Sequence, residues 1–270
     1  YACIAVGFSL VWGVLNVINM IHGAFIILGG YITFFAWLHF KIHPFMMILP
    51  VAVLMFGLGY ILQRGMINKV ISKPVLTTLT LTFGLEMILY NAMNLVFSAT
   101  PRRIALDMGS LKLGELLLSV DRIASMVLAL TLTGLLYLVL RTSKIGRAIV
   151  AVRMDRDAAS LMGINVKEIY AITFGIGAFM AGACGALVAV VFPISTSLTG
   201  VFLGKAFVIC VIGGLGTVPG ALVGGLTLGV IESFAGYWLG PQNAILIGFI
   251  LMLVLLVVRP TGIIGKKGYE

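Results

Sequence analysis

The side chains best suited to chemistry lie at a few polar positions in an otherwise apolar sequence. Asn16, Asn19 and His22 follow one another at three-residue intervals, and Gly23 comes directly after them. This spacing places the three polar side chains close to one face of a helix. Polar groups in an apolar region cost free energy unless they are paired or hydrated. Two interpretations follow: a broken helix that faces a substrate path, or a hydrogen-bonded loop at the membrane surface.

A second polar set recurs every four residues and consists of Thr78, Thr82 and Glu86. Threonine hydroxyls can donate to carbonyls of their own helix, which makes them inexpensive in lipid. A carboxylate at the membrane centre costs on the order of 2.5–3.5 kcal/mol on insertion scales, so Glu86 must face protein or water. The stripe either lines a translocation path or fixes helix packing. We favour packing for the threonines and a function for Glu86.

Glycine-rich stretches interrupt the apolar sequence in both halves of the chain. One covers residues 22–30, and the other covers residues 213–220 and includes Gly213, Gly214 and Gly216. Paired interruptions accompany substrate sites near the midplane of several transporter folds, so we predict a two-half internal repeat and assign these glycines to the pathway. The second stretch is not a phosphate loop, because no Lys-Ser or Lys-Thr pair follows it and no strand precedes it.

The composition of the chain indicates a membrane protein. Of 270 residues, 61% are hydrophobic and 10% are charged, whereas a soluble domain carries roughly 25% charged residues. This excludes an ordinary soluble enzyme, a nucleic-acid-binding module and a disordered chain. The three cysteines lie in apolar runs without metal-ligand spacing, so we expect no metal site, no cofactor and no disulfide framework.

Nine apolar segments predict an all-α polytopic membrane protein with about eight to nine hydrophobic segments. A spanning helix needs about 20 apolar residues, so the shorter segments are candidates for broken half-helices. The predicted segments are 1–15, 23–40, 44–62, 75–98, 123–140, 169–192, 201–215, 217–237 and 243–258. We treat residues 1–270 as one transmembrane domain. Because Tyr1 opens within a helix already under way, we expect that an N-terminal stretch is missing.

Basic residues predict the orientation of the chain in the membrane. Two thirds of the 18 Lys and Arg residues lie in residues 63–74, in residues 141–168 and in the tail from Arg259. The positive-inside rule assigns these stretches, and with them the C-terminus, to the cytoplasm. Lys205 and Glu232 lie near the outer ends of their segments, where we expect their side chains to reach toward the interface.

The cytoplasmic stretch 142–168 predicts a short amphipathic helix between two spans. Its second apolar stripe follows helical spacing and ends at a glycine suited to the position after a helix. The residues assigned to this helix are Arg153, Asp157, Ala158, Leu161, Met162 and Gly163. Such a helix either lies on the membrane or docks on a soluble partner.

Four strings in this sequence resemble the permeases of branched-chain amino acid ABC transporters. The strings are Asn19-Met-Ile-His-Gly23 with Gly29-Gly-Tyr31, Gly146-Arg-Ala148 followed by residues 157–164, Lys205-Ala-Phe207 followed by residues 213–225, and Arg259-Pro-Thr-Gly-Ile-Ile-Gly265. They occur in order over nearly the whole chain. The sequence is most similar to the high-affinity leucine/isoleucine/valine-type inner-membrane permeases.

The resemblance implies a multi-subunit importer in the inner (plasma) membrane. The expected partners are a second permease subunit, usually a different chain, two cytoplasmic ABC ATPases, a periplasmic binding protein and membrane lipid, but no nucleic acid. The helix from Arg153 to Gly163 would be the coupling helix that seats in an ATPase groove. This chain has no Walker lysine, so ATP hydrolysis would belong to the partner and the chain would not be an enzyme.

The expected substrate is a branched-chain or other amino acid, although related permeases carry urea or short amides. Helix N-termini would bind its carboxylate, and Glu86 would bind its ammonium group. An ion-coupled secondary carrier of a small polar solute, with Glu86 or His22 as proton site, is the alternative. Energy source separates the two, and the basic cytoplasmic loop with its amphipathic helix favours the ATP-driven importer. A membrane-embedded enzyme is disfavoured, because no His, Asp and Glu cluster or nucleophile–base pair is recognisable.

Overall fold

The structure is a computed structural model that describes residues 1–106, 108–113, 116–259 and 261–264. Within these ranges the α-helices are α1 (Ala2–Leu15), α2 (His22–Phe40), α3 (Ile48–Gly65), α4 (Val75–Phe97), α5 (Val120–Thr142), α6 (Lys144–Met154), α7 (Arg156–Leu161), α8 (Val166–Val191), α9 (Thr199–Gly213), α10 (Val218–Leu239) and α11 (Pro241–Val258), and short 3-10 helices cover Pro44–Met47, Ile67–Lys69 and Thr196–Leu198. Most of the predicted C-terminal tail, including Gly265, Lys266 and Lys267, lies outside the described residues.

Helix length and composition confirm a polytopic membrane protein. Seven helical stretches are long and apolar enough to cross a membrane, and two shorter apolar helices accompany them. A departure from the all-helical prediction is a hairpin in the loop before α5, in which β1 (Ser110–Leu113) pairs antiparallel with β2 (Leu116–Ser119). This loop lies outside the apolar segments, where strand pairing can satisfy backbone groups that helices satisfy within the membrane.

Helix α8 is the centre of the bundle, and small residues bring its neighbours close to it. In its apolar window 83% of residues are buried, against 11% in both α4 and α5. A β-carbon on Gly29 of α2 would lie 2.7 Å from the carbonyl oxygen of Gly182, and one on Gly7 of α1 would lie 2.6 Å from that of Gly177. Glycine at these positions lets helix backbones approach without a clash.

The bundle has two distinguishable ends. At one end Tyr60 of α3 donates to Glu168 at the start of α8 over 2.6 Å, and α6 and α7 pack beside the same part of α8. At the other end the hairpin loop pairs with the chain that follows α8, through backbone hydrogen bonds between Arg102 and Ile194. We call these the α6–α7 end and the hairpin end.

Helices α1 and α2 are separated by an extended segment, residues 16–21, that turns back into the bundle. Helix α1 ends near the α6–α7 end, where Gly13 contacts the turn between α9 and α10. Helix α2 nevertheless starts beside the first turn of α1, since His22 Nε2 lies 2.8 Å from the carbonyl oxygen of Ile4. We call residues 16–21 the first break, and it confirms that the apolar sequence is interrupted by a non-helical segment.

A second break, residues 192–198, leads from the hairpin end to the start of α9. Its residues run inward along α4. Ser195 donates to Ala99, just after the end of α4, and Thr196 donates to Asn94 within α4. Helix α9 then starts in the interior of the bundle. The sequence pairs the glycine-rich residues 22–30 with residues 213–220. In the structure Gly213, Gly214 and Gly216 lie at a tight turn at the α6–α7 end, where Gly214 and Gly216 have φ of 106° and 77°.

Candidate functional site

The starts of α2 and α9 meet inside the bundle, and we call this contact the junction. A β-carbon on Gly23 would collide with the backbone carbonyl oxygen of Thr199. Only glycine permits this approach of two backbones at position 23. Neither helix has a side-chain N-cap of its own. Helix α9 continues from a short 3-10 helix, Thr196–Leu198, so the N–H of Thr199 donates to Thr196, and the N–H of His22 donates to Asn19. Helix N-termini carry a partial positive charge and bind anionic groups.

Asn19 and His22 supply polar atoms beside the junction that the rest of the chain does not use. Both residues are fully buried. Neither amide atom of Asn19, nor Nδ1 of His22, has a hydrogen-bond partner in the described part of the chain. His22 Nε2 faces the carbonyl oxygen of Ile4, which can only accept, so Nε2 carries the proton and Nδ1 offers a lone pair. Asn16, by contrast, is exposed at the end of α1.

Of the two threonines in the predicted stripe on α4, Thr82 fixes the first break to the bundle and Thr78 bonds within its own helix. Thr82 donates to the carbonyl oxygen of Ile18 over 3.0 Å, and Thr78 donates to Val75 in its own helix over 2.8 Å. Both side chains are buried. These bonds agree with a packing role, because each hydroxyl already donates to a backbone carbonyl.

Glu86 lies midway along α4, one turn beyond Thr82, and its carboxylate is close to the side chain of Thr199 at the junction. It is half-buried. A carboxylate at the middle of a spanning helix cannot face hydrocarbon without a large cost, so its open side must face water or protein. The junction therefore combines two helix N-termini, an unpartnered amide and a carboxylate, which together can bind a small zwitterion.

Asn94 anchors the second break to α4, although it is not among the residues predicted from the sequence. Thr196 donates to Asn94 Oδ1 over 2.5 Å, which ties the second break to α4 as Thr82 ties the first. Asn94 lies eight residues after Glu86, so extending the four-residue spacing of the predicted stripe would have found it. Thr196 and Thr199 carried no such signal, since neither belongs to a polar stripe.

The structure does not bring Gly213, Gly214 and Gly216 to the junction. They form the turn between α9 and α10 at the α6–α7 end. There a β-carbon on Gly216 would lie 2.9 Å from the α-carbon of Gly13 and 3.5 Å from the guanidinium of Arg153. These glycines therefore serve a tight turn and close backbone contacts.

The predicted cytoplasmic helix from Arg153 to Gly163 is two helices. Asp155 ends α6 and caps α7, because its Oδ1 accepts hydrogen bonds from the N–H groups of Asp157 and Ala158, both over 2.9 Å. Aspartate is a preferred N-cap, which explains the new start. Arg153 thus belongs to α6. Gly163 follows α7 with φ of 82°, which confirms its predicted position after the helix.

The apolar stripe of α7 is exposed to solvent. Leu161 and Met162 are 89% and 83% exposed, and Ala158 beside them is also exposed. Exposed apolar side chains of this size, grouped on one short helix, are typical of a surface that binds a partner.

Lys205 and Glu232 do not reach toward the interface. Lys205 Nζ lies 2.7 Å from Glu232 Oε2, and each residue is only 8% exposed. The prediction treated each charge alone and was wrong because the two charges, on adjacent helices, neutralise one another inside the bundle.

Fold and site together define a membrane transport protein: a multi-pass bundle in which two helices start at a buried polar junction. Among the described residues no group of three or more His, Cys, Asp or Glu could hold a metal ion. Residues 1–258 match the family described as branched-chain amino acid transport system / permease component, and the chain belongs to this family. It is a transport permease and not an enzyme.

Several bacterial and archaeal permeases are similar to this chain over most of its length. The high-affinity branched-chain amino acid transport system permease protein BraD of Pseudomonas aeruginosa is 32% identical, covering 100% of this chain and 93% of its own. LivH of Escherichia coli, likewise a high-affinity branched-chain amino acid transport system permease protein, is 30% identical over 100% of this chain and 92% of its own. A probable branched-chain amino acid transport permease of Methanocaldococcus jannaschii is 25% identical over 97% and 87%. No solved structure matches the chain.

Proposed function

We propose that this chain is the membrane-spanning subunit of a binding-protein-dependent, ATP-driven importer of branched-chain amino acids. Family membership and the descriptions of the similar permeases support the substrate class. The single observation that carries the mechanism is the junction of Gly23 and Thr199 beside Glu86. It offers complementary groups for both charges of an amino acid.

In this proposal the first-turn N–H groups of α2 and α9 bind the substrate carboxylate, and Glu86 binds the ammonium group. Asn19 completes the site with its unpartnered amide, which can donate to the carboxylate and accept from the ammonium group. The apolar surroundings of the junction receive the aliphatic side chain. Thr82 holds the first break in place through its hydrogen bond to Ile18, and Asn16 and Thr78 belong to the same proposed path. Urea or a short amide is the alternative substrate class, because Asn19 could bind an uncharged amide.

The energy source in this proposal is ATP hydrolysis on partner subunits. Helix α7 would seat in an ATPase as the coupling helix, with Ala158, Leu161 and Met162 buried in the contact. Asp157 and the neighbouring Arg153 would contribute charged contacts at its rim. An ion-coupled carrier with Glu86 or His22 as proton site is the second candidate. The exposed apolar stripe of α7 favours the ATPase-coupled reading, since a single-chain carrier has no partner to cover it.

We further propose that the α6–α7 end faces the cytoplasm of a cell whose inner membrane holds the protein. Nine of the 16 basic residues of the described chain lie at this end, in residues 63–74 and 141–168. Cytoplasmic loops collect Lys and Arg. The described end of the chain after α11 lies at the same end, because Ile263 donates from its N–H to Ile212 of α9 over 2.8 Å. A second permease subunit would cover the exposed face of α4, on the side away from Thr78 and Thr82, and a periplasmic binding protein would dock at the hairpin end.

Co-purification of the full-length protein with the products of its neighbouring genes tests this proposal. We expect an ATPase to accompany the wild-type chain and to be lost when Ala158, Leu161 and Met162 are changed together to Asp. The control is Leu117→Asp, which places one such charge on an exposed leucine of the hairpin end and should leave the ATPase bound. If no ATPase ever associates, and uptake into proteoliposomes follows an ion gradient, the carrier with Glu86 at its centre is correct instead.

A further inference from the structure

A cluster of three polar side chains, two buried and one half-buried, joins α1, α9 and α10 away from the junction. Lys205 Nζ donates to Glu232 Oε2 and to Tyr1 Oη, both over 2.7 Å. Tyr1 Oη donates in turn to Glu232 Oε2 over 2.5 Å. The ammonium group also lies 4.4 Å from the centre of the Tyr1 ring. We call these three side chains the triad.

The triad resists any sliding of α9 against its neighbours. Removing one partner of a buried ion pair leaves an uncompensated charge in a medium of low polarity, which is strongly unfavourable. A shift of α9 by one turn would have the same consequence, because it would separate Lys205 from Glu232. The ion pair is therefore satisfied in one axial position of α9.

Glycine contacts around the triad join the same three helices backbone to backbone. A β-carbon on Gly224 of α10 would collide with the carbonyl oxygen of Ile209 in α9, and one on Gly225 would collide with the backbone of Ala2 in α1. Cys210 of α9 also lies 3.5 Å from the carbonyl oxygen of Ala5. Close packing and the buried charges therefore hold the start of α1, α9 and α10 together as one unit.

This unit ends at the junction. Lys205 lies six residues after Thr199, which is roughly 9 Å along a helix that rises 1.5 Å per residue. Helix α9 is rigid over that distance, so fixing Lys205 also fixes the depth of Thr199 beside Gly23 and Glu86.

We propose that Lys205 is a positioning residue for transport. Through Glu232 and Tyr1 it sets the axial position of α9, so that the start of α9 presents its N–H groups at the junction. The start of α1, α9 and α10 then move as one body in the transport cycle. This inference rests on the proposed function, because the junction is the site whose geometry the triad sets.

Four variants of the reconstituted importer test the role of the triad: Lys205→Met, Glu232→Leu, the double Lys205→Met/Glu232→Leu, and the exchanged Lys205→Glu/Glu232→Lys. Folded protein is measured by size-exclusion chromatography, and leucine uptake gives a half-saturation concentration and a maximal rate. The single variants should lose folded protein, since each leaves one buried charge. The double variant should fold, with a half-saturation concentration raised by about tenfold. The exchanged variant should return toward the wild-type value.

The matched control is the exposed ion pair between Arg64 and Glu168, whose atoms lie 3.4 Å apart with side chains 65% and 37% exposed. The double variant Arg64→Met/Glu168→Leu should leave the half-saturation concentration unchanged. If the Lys205→Met/Glu232→Leu variant folds and transports with wild-type constants, the positioning role is refuted and the triad only contributes to packing.

A distance measurement judges the triad without relying on the substrate. In a chain whose cysteines are changed to alanine, spin labels at Gly200→Cys and Tyr237→Cys report the position of α9 against α10. The proposal predicts one narrow distance distribution, which broadens in the Lys205→Met/Glu232→Leu background. An unchanged distribution would overturn the inference. A narrow distance distribution that broadens in the double variant, in an importer that takes up no amino acid, would instead overturn the proposed function. The positioning of α9 would then still be supported.

Discussion

The two breaks use one backbone device with different side chains. Each is a segment outside the α-helices that leads to a helix starting inside the bundle, and the two helices meet where Gly23 touches Thr199. The second break ends in a 3-10 helix, Thr196–Leu198. In the second break Ser195 donates to the carbonyl oxygen of Ala99, and Thr196 donates to the side chain of Asn94 in α4. In the first break the amide of Asn19 has no partner among the described residues. The second break is therefore scaffold, and the first break retains hydrogen-bonding capacity for a ligand.

The difference follows from the residue types. Serine and threonine hydroxyls are short and find backbone or side-chain oxygens close by. An asparagine amide carries two donors and an acceptor, which a tight apolar environment rarely satisfies together. A buried polar group without a partner costs about 1–3 kcal/mol. We infer that Asn19 recovers this free energy when substrate binds, and four substitutions test this division of roles.

The largest effect is expected from Gly23→Ala, since the added β-carbon meets a backbone carbonyl oxygen that cannot move independently. Overpacking typically costs 1–3 kcal/mol, so initial leucine uptake per inserted protein should fall about tenfold or more. Gly200→Ala is the matched control, because no atom of the described chain lies within 4 Å of its β-carbon position. Wild-type uptake by the Gly23→Ala protein would show that the junction is not close-packed during transport.

Glu86→Gln should have the next largest effect, because it removes the charge that pairs with the substrate ammonium group. A hydrogen bond to a charged group is worth about 1.5–3 kcal/mol, so the half-saturation concentration should rise about tenfold or more. Asn91→Ala is the control on the same helix, where Asn91 only bonds to Met87 one turn before it. Retained affinity in the Glu86→Gln protein would remove the ammonium role from Glu86.

Asn19→Leu should move stability and transport in opposite directions. Replacing an unpartnered amide by an apolar group of similar size is near neutral or stabilising, so the unfolding temperature in detergent should stay level or rise. The half-saturation concentration should rise about threefold to tenfold through loss of a hydrogen bond. Parallel loss of stability and transport would mean that the amide has a structural partner and no ligand role.

Thr196→Val should show the reverse pattern and the smallest effect on transport. It leaves Asn94 Oδ1 without its donor, which should lower the free energy of unfolding by about 1–3 kcal/mol. The half-saturation concentration for leucine should stay within about twofold, since no hydrogen bond to substrate is lost. A rise in the half-saturation concentration like that expected for Asn19→Leu would place both breaks in the substrate site, so that the two breaks would no longer differ in role.

Local features of the fold were predictable from sequence because they depend on nearby residues. Apolar runs indicated the spanning helices, polar residues with Gly23 indicated the first break, and Gly163 indicated the end of α7. The split at Asp155 was missed, although its capping chemistry is equally local. The stripe of Thr78, Thr82 and Glu86 followed from helical spacing alone.

Long-range contacts were not predictable, because they depend on how the helices pack around α8 and not on residues near one another in the sequence. Nothing near Thr199 indicates that it meets Gly23, and Lys205 gives no sign of Glu232 on the next helix. The turn glycines Gly214 and Gly216 show a further limit. A glycine required for positive φ and one required for a close approach near substrate look alike in a single sequence.

Photo-crosslinking with a diazirine analogue of leucine tests the central claim most directly, because it requires no substitution in the site. The complete importer would be loaded with the analogue, irradiated and digested, and the adducts located by mass spectrometry. We predict adducts in residues 16–23 and on α4 around Glu86, and we expect excess leucine to abolish these adducts. Leucine-sensitive adducts confined to the α9–α10 turn, with none at the first break, would contradict the central claim.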